Sequence, residues 1–107
     1  MSRFGLQTTA AGPVALITLR GELDMLATAE LEQELERLTE DVVAIDLRSL
    51  LFLDSAGLRT IMLARDRLRA EDRRLVLVRG NQAVQRVFEI TRTTERLEFV
   101  DAPELLA

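Results

Sequence analysis

Val42-Val43-Ala44-Ile45-Asp46-Leu47 is a nearly continuous apolar run set between two stretches of helical periodicity. A strand that is apolar at successive residues is buried on both faces, and such strands belong to parallel sheets covered by helices. Leu75-Val76-Leu77-Val78, beyond the second helical stretch, has the same character. Parallel strands need a crossover between them, usually a helix. The two runs therefore predict an α/β fold built on a mostly parallel sheet.

The rest of the chain fits around that sheet. Residues 3–9 alternate weakly, and Val14-Ala15-Leu16-Ile17-Thr18-Leu19-Arg20 is rich in β-formers. Ala10-Ala11-Gly12-Pro13 supplies a turn between them, so an N-terminal antiparallel hairpin is expected. Gly21-Glu22-Leu23-Asp24 reads as the turn ending the second strand. Helical periodicity runs from about Ala27 to Glu40, with Leu31, Leu35 and Leu38 on one stripe and Thr28 as the expected N-cap.

A second helix is expected from Ser55 to about Glu71, with Leu58, Ile61, Met62, Ala64 and Leu68 facing inward. Its Arg59, Arg67 and Arg69 are expected in solvent. Ala83, Val84, Val87, Phe88 and Ile90 indicate a short helix from about Gln82. Leu97-Glu98-Phe99-Val100 reads as a final strand, and Pro103 opens a last helical turn through Leu106. The expected order is β-β-α-β-α-β-α-β-α, with four helices, in a single domain spanning residues 1–107.

Composition narrows the chemistry. With no Cys and no His, the sequence has no disulfide, no thiolate metal site and no imidazole base. All 14 cations are Arg, so no Lys can replace the missing His. A net charge of −4 argues against general nucleic-acid binding, and with no Tyr or Trp only four Phe could stack on bases. No charge-free apolar run approaches the ~18 residues of a membrane span, and Met1-Ser2-Arg3-Phe4-Gly5 lacks a signal-peptide apolar run. A soluble, cytoplasmic protein is expected.

Charge is unevenly placed. Glu22 to Asp41 carries eight acids and one Arg (Arg37), while Arg59 to Arg79 carries seven Arg against three acids. The second stretch reads first as a solvated helix face, with binding of a nucleotide or an acidic partner as the alternative.

The stretch with most chemical meaning is Leu50-Leu51-Phe52-Leu53-Asp54-Ser55-Ala56-Gly57-Leu58. Here an apolar run gives way at once to a helix start, where backbone N–H groups lack partners and favour an anion. Ser55 suits either an N-cap or a phosphate acceptor. Asp54 suits a cap or a group that orients the Ser55 hydroxyl. Gly57 either admits a partner backbone or packs tightly on the sheet. Asp24 suits turn chemistry or partner contact, and Asp46 a structural role near the sheet end. Arg59, one turn past Ser55, is the arginine best placed to join a binding face. With no activating base and no Gly-rich phosphate loop, the chain is not expected to be an enzyme, and no cofactor or metal is expected.

Three motifs together, Gly21-Glu22-Leu23-Asp24, Val43-Ala44-Ile45-Asp46-Leu47 and Asp54-Ser55-Ala56-Gly57-Leu58, resemble the STAS domain, and more narrowly bacterial anti-sigma factor antagonists. The resemblance runs from about residue 4 to 106. It implies that Ser55 is the phosphoacceptor. The implied partners are an anti-sigma factor with serine-kinase activity and a serine phosphatase that resets the system. It also places the Asp24 loop beside the Ser55 loop, giving a partner face of Asp24, Asp54, Ser55, Ala56, Gly57 and Arg59. Ala56 departs from the pattern, since many members carry a second Ser or Thr there. The same family includes non-phosphorylated STAS scaffolds and regulatory subunits in transport or stress-signalling assemblies, which form the alternative reading.

Overall fold

The computed structural model describes residues 3–106. Strands β1 (Phe4–Ala11) and β2 (Val14–Leu23) form the antiparallel hairpin. Then follow α1 (Thr28–Arg37), β3 (Val42–Leu53), α2 (Ser55–Ala70), β4 (Arg74–Val78), α3 (Gln82–Ile90) and β5 (Glu98–Val100). The five strands lie in the order β1-β2-β3-β4-β5, with every pairing after the hairpin parallel.

Strand alternation divides the sheet's two faces. Ile17, Leu19, Ile45, Leu47 and Leu77 join Leu31 and Leu35 of α1, Ile61 and Leu68 of α2, and Val84 and Phe88 of α3 in one buried cluster. Val14 and Leu16 project from β2 at the intervening positions and line a surface pocket together with Pro103 and Leu106. The C-terminal residues thus shield part of the second face. Residues Val43 to Leu47 of β3 are all buried, Asp46 among them, as the nearly continuous apolar pattern requires.

Several expectations are corrected. β2 does not end at Arg20 but runs to Leu23, because Phe4 pairs with Gly21 and Leu23 with Leu53. Gly21 marks a kink within the strand: its φ is +84°, and a Cβ there would lie 1.6 Å from the Arg3 carbonyl oxygen. Thr28 is not an N-cap. It is the first residue of α1, the cap position is Ala27, and the Thr28 hydroxyl donates to the Met25 carbonyl at 2.9 Å.

α1 stops at Arg37, short of Glu40, because Leu38 turns to extended backbone. The carbonyls of Leu38 and Glu40 then accept hydrogen bonds from the Arg73 guanidinium at 2.9 Å each. The expected fourth helix is a 3₁₀ turn at Pro103–Leu106, and another such turn spans Thr94–Arg96. Four residues are too few for the i→i−4 ladder of an α-helix, so there are three α-helices among the described residues.

Arg67 is not in solvent either; it donates to the Leu35 carbonyl at 2.8 Å and ties α2 to α1. Arg59 and Arg69 are exposed as expected. Met62 is half-buried against the core, and Ile90 is exposed at the end of α3.

Candidate functional site

β3 delivers the chain to the site. Leu53 is buried, Asp54 is extended (φ −101°, ψ −177°), and α2 begins at Ser55. Asp54 is the N-cap: its Oδ1 accepts from the Gly57 N–H at 2.9 Å, and its backbone carbonyl takes the first helical bond from Leu58 at 3.0 Å. Ser55 therefore does not cap the helix. Among the described residues its exposed hydroxyl has no hydrogen-bond partner.

The second oxygen of Asp54 reaches another loop. Oδ2 accepts from the Met25 N–H at 3.2 Å, and the Asp54 N–H donates to the Leu23 carbonyl at 3.3 Å. Asp24 shapes that loop from inside, because its Oδ1 accepts from the Leu26 and Ala27 N–H groups at 3.0 Å each. The turn role of Asp24 is thus present, and the Asp54 carboxylate holds the two adjoining loops together.

Gly57 faces inward. A Cβ at this position would lie 2.5 Å from the Leu23 carbonyl oxygen and 2.8 Å from Leu53 Cδ1, so tight packing on the sheet requires glycine. Ala56 is half-buried beside Ser55. Arg59 stands one helical turn on, exposed and without an ion-pair partner among the described residues.

Sequence reasoning did not single out Met25, Leu26 and Leu63. Met25 is 70% exposed and Leu26 86%, both in the loop bonded to Asp54. Leu63 is 55% exposed and stands eight residues after Ser55, on the ridge Ser55–Arg59–Leu63. It borders a cleft of about 230 Å³ between α1 and α2, with Glu32 and Glu36 on the α1 side. The available signal was an apolar pair directly after a turn Asp and a Leu off the inner stripe of α2.

Asp46 stands apart from this face. Burial pushes its carboxyl pKa up, but the Arg48 side chain, backbone N–H and charge outweigh that and hold it below its ordinary value. The contacts are 2.8 Å from Arg48 Nη2 and 3.0 Å from the Arg48 backbone N–H. Among the described residues no three His, Cys, Asp or Glu side chains are grouped to hold a metal ion, and no helix is long and apolar enough to cross a membrane.

The family model of the STAS domain matches residues 6–103. The chain belongs to the STAS domain family. Its fold is shared with an anti-sigma factor antagonist from Mycobacterium paratuberculosis, at a TM-score of 0.86 and 20% identity over 94% of this chain and 88% of that one. The anti-sigma factor antagonist SpoIIAA in its unphosphorylated form gives 0.77 and 20% identity over 95% and 93%. The Bacillus cell fate determinant SpoIIAA in its phosphorylated form gives 0.75 and 19% identity over 95% and 96%. At such identities the likeness is one of fold. In this STAS domain Asp24, Asp54, Ser55, Ala56 and Arg59 gather at one end of the sheet, and Gly57 supports them from beneath.

Proposed function

We propose that this STAS domain is an anti-sigma factor antagonist that binds an anti-sigma factor with serine-kinase activity and is switched off by phosphorylation of Ser55. A serine phosphatase restores the binding form. The observation carrying this reading is a free, exposed hydroxyl at a rigidly capped helix start, beside the exposed Met25 and Leu26.

Transfer of a phosphoryl group from ATP to the Ser55 oxygen adds about −1.5 to −2 charges and three acceptor oxygens. Two backbone donors of this junction, the Gly57 and Met25 N–H groups, are already bonded to Asp54. The new charge therefore stays on the surface, next to the Asp54 carboxylate and an apolar patch. A phosphate in such an interface opposes binding by desolvation and by repulsion of like charge. A tenfold loss of affinity requires only about 1.4 kcal/mol, so partner choice changes while the fold persists. That solved proteins of this fold include antagonists in both phosphorylated and unphosphorylated forms supports the same reading.

Incubation with the cognate kinase and ATP is expected to add one phosphate at Ser55 by intact-mass spectrometry. Ser55→Ala is expected to bind the anti-sigma factor like the parent, and Ser55→Asp about tenfold more weakly. No phosphate from a kinase active on another substrate, or equal binding by the two variants, sinks the switch. Stable residence in a larger complex regardless of Ser55 points instead to the scaffold role.

A further inference from the structure

A second surface lies at the opposite end of α2, about 20 Å along the helix from Ser55. There an open cavity of about 470 Å³ is lined by Arg65, Arg69, Arg73, Arg74 and Arg96. This falls within the usual range for small-ligand pockets. Arg65 and Arg69 stand four residues apart on α2, a spacing at which like charges destabilise a helix.

The carboxylates nearby only partly offset these charges. Glu98 is taken up by Arg74, and Asp66, beside the cavity, pairs with Arg65 at 3.1 Å. Arg73 is fixed by the Leu38 and Glu40 carbonyls and by Glu71, so its charge cannot swing away. Arg69 and Arg96 make no hydrogen bond or ion pair from their side chains among the described residues. Glu95 also lines the cavity and is the one carboxylate there with no partner. In a chain of net charge −4, five arginines thus share one concavity with two glutamates.

We propose that this cavity binds a small oligophosphate, with Arg69 and Arg96 as the principal donors. A guanidinium presents its N–H groups in a planar fork that fits phosphate oxygens bidentately. Arg69 comes from α2, and Arg96 from the 3₁₀ turn before β5. Two such forks on separate elements suit two or more linked phosphates, either as free oligophosphate or as the tail of a nucleotide. The site needs nothing from Ser55, so it stands independently of the switch.

The test is calorimetric titration of the whole chain with sodium tripolyphosphate, ATP and AMP at about 0.15 M salt, where exposed nonspecific charge is largely screened. One-to-one binding of tripolyphosphate is expected. Arg69→Gln/Arg96→Gln should weaken it about tenfold or more, as loss of charge-assisted bonds requires. Arg86→Gln, outside the cavity, should leave it unchanged. Matching affinity for ATP with none for AMP identifies the phosphates as the whole ligand, and much tighter ATP binding identifies a nucleotide. No binding at millimolar tripolyphosphate, or equal binding by the double variant, overturns the proposal. The single variants, checked for unchanged melting temperature, decide the matter if the double variant unfolds.

Discussion

Asp54 Oδ2 accepts a hydrogen bond from the Met25 N–H at 3.2 Å while Oδ1 of the same carboxylate caps α2 through Gly57 at 2.9 Å. One side chain therefore sets both the start of the helix bearing Ser55 and the position of the loop bearing Met25 and Leu26. Asp54→Ala is expected to lower unfolding free energy by about 1–2 kcal/mol, the upper part of the range for a lost cap. Asp54→Asn, which keeps one acceptor oxygen, should lose less. Urea denaturation at constant m-value measures both, and an undiminished Asp54→Ala protein would show that the bridge contributes nothing.

Ser55 should tolerate charge without unfolding. A negative group at a helix N-terminus gains about 0.3–1 kcal/mol from the macrodipole, opposed here by repulsion from Asp54. Ser55→Asp is expected to stay within about 1 kcal/mol of the parent in the same denaturation experiment. A loss well beyond that would mean that modification acts by melting α2 rather than by altering a surface.

Gly57→Ala should be costly despite its chemical modesty. The added Cβ would fall 2.5 Å from the Leu23 carbonyl oxygen, a backbone atom that cannot turn aside as a flexible side chain would. A loss of about 1–3 kcal/mol is expected, as for other overpacked sites. The parent stability in Gly57→Ala would show that α2 shifts freely on the sheet.

Acid should weaken the fold through Glu34. The Arg37 side chain, then the Thr8 hydroxyl, bind its carboxylate and lower its pKa from 4.5 to about 2. A carboxyl depressed in the folded state contributes stability above its unfolded pKa, and that contribution fades as pH falls through the folded value. The loss attributable to Glu34 therefore lies between about pH 4.5 and pH 2. Glu34→Gln should flatten the decline of denaturation midpoint across this window, and an equally steep decline would remove Glu34 as its cause.

The buried strands and the β3-to-α2 junction were legible because local pattern determines them. The nearly continuous apolar run at Val42–Leu47 and the Asp-Ser step before a helical stripe carry their meaning within a few positions. What escaped depends on distant partners. Gly21 has the local signature of a turn, yet pairing with Phe4 keeps it in a strand. Arg67 and Arg73 look like solvated cations until the carbonyls of Leu35, Leu38 and Glu40 come within reach. In the site, Asp54 was equally suited to capping or to orienting the hydroxyl, and only its geometry with Gly57 and Met25 distinguishes the roles. Met25 and Leu26 gain interest solely from their exposure beside Asp54.

The spatial order of the strands repeats their order along the chain. Each strand pairs with the one made just before it, so no pairing waits for a segment synthesised much later. Closing short stretches of chain costs less entropy than closing long ones, and topologies with near-neighbour contacts fold faster. Assembly can therefore keep pace with translation, adding one strand and its crossover helix at a time to a growing edge.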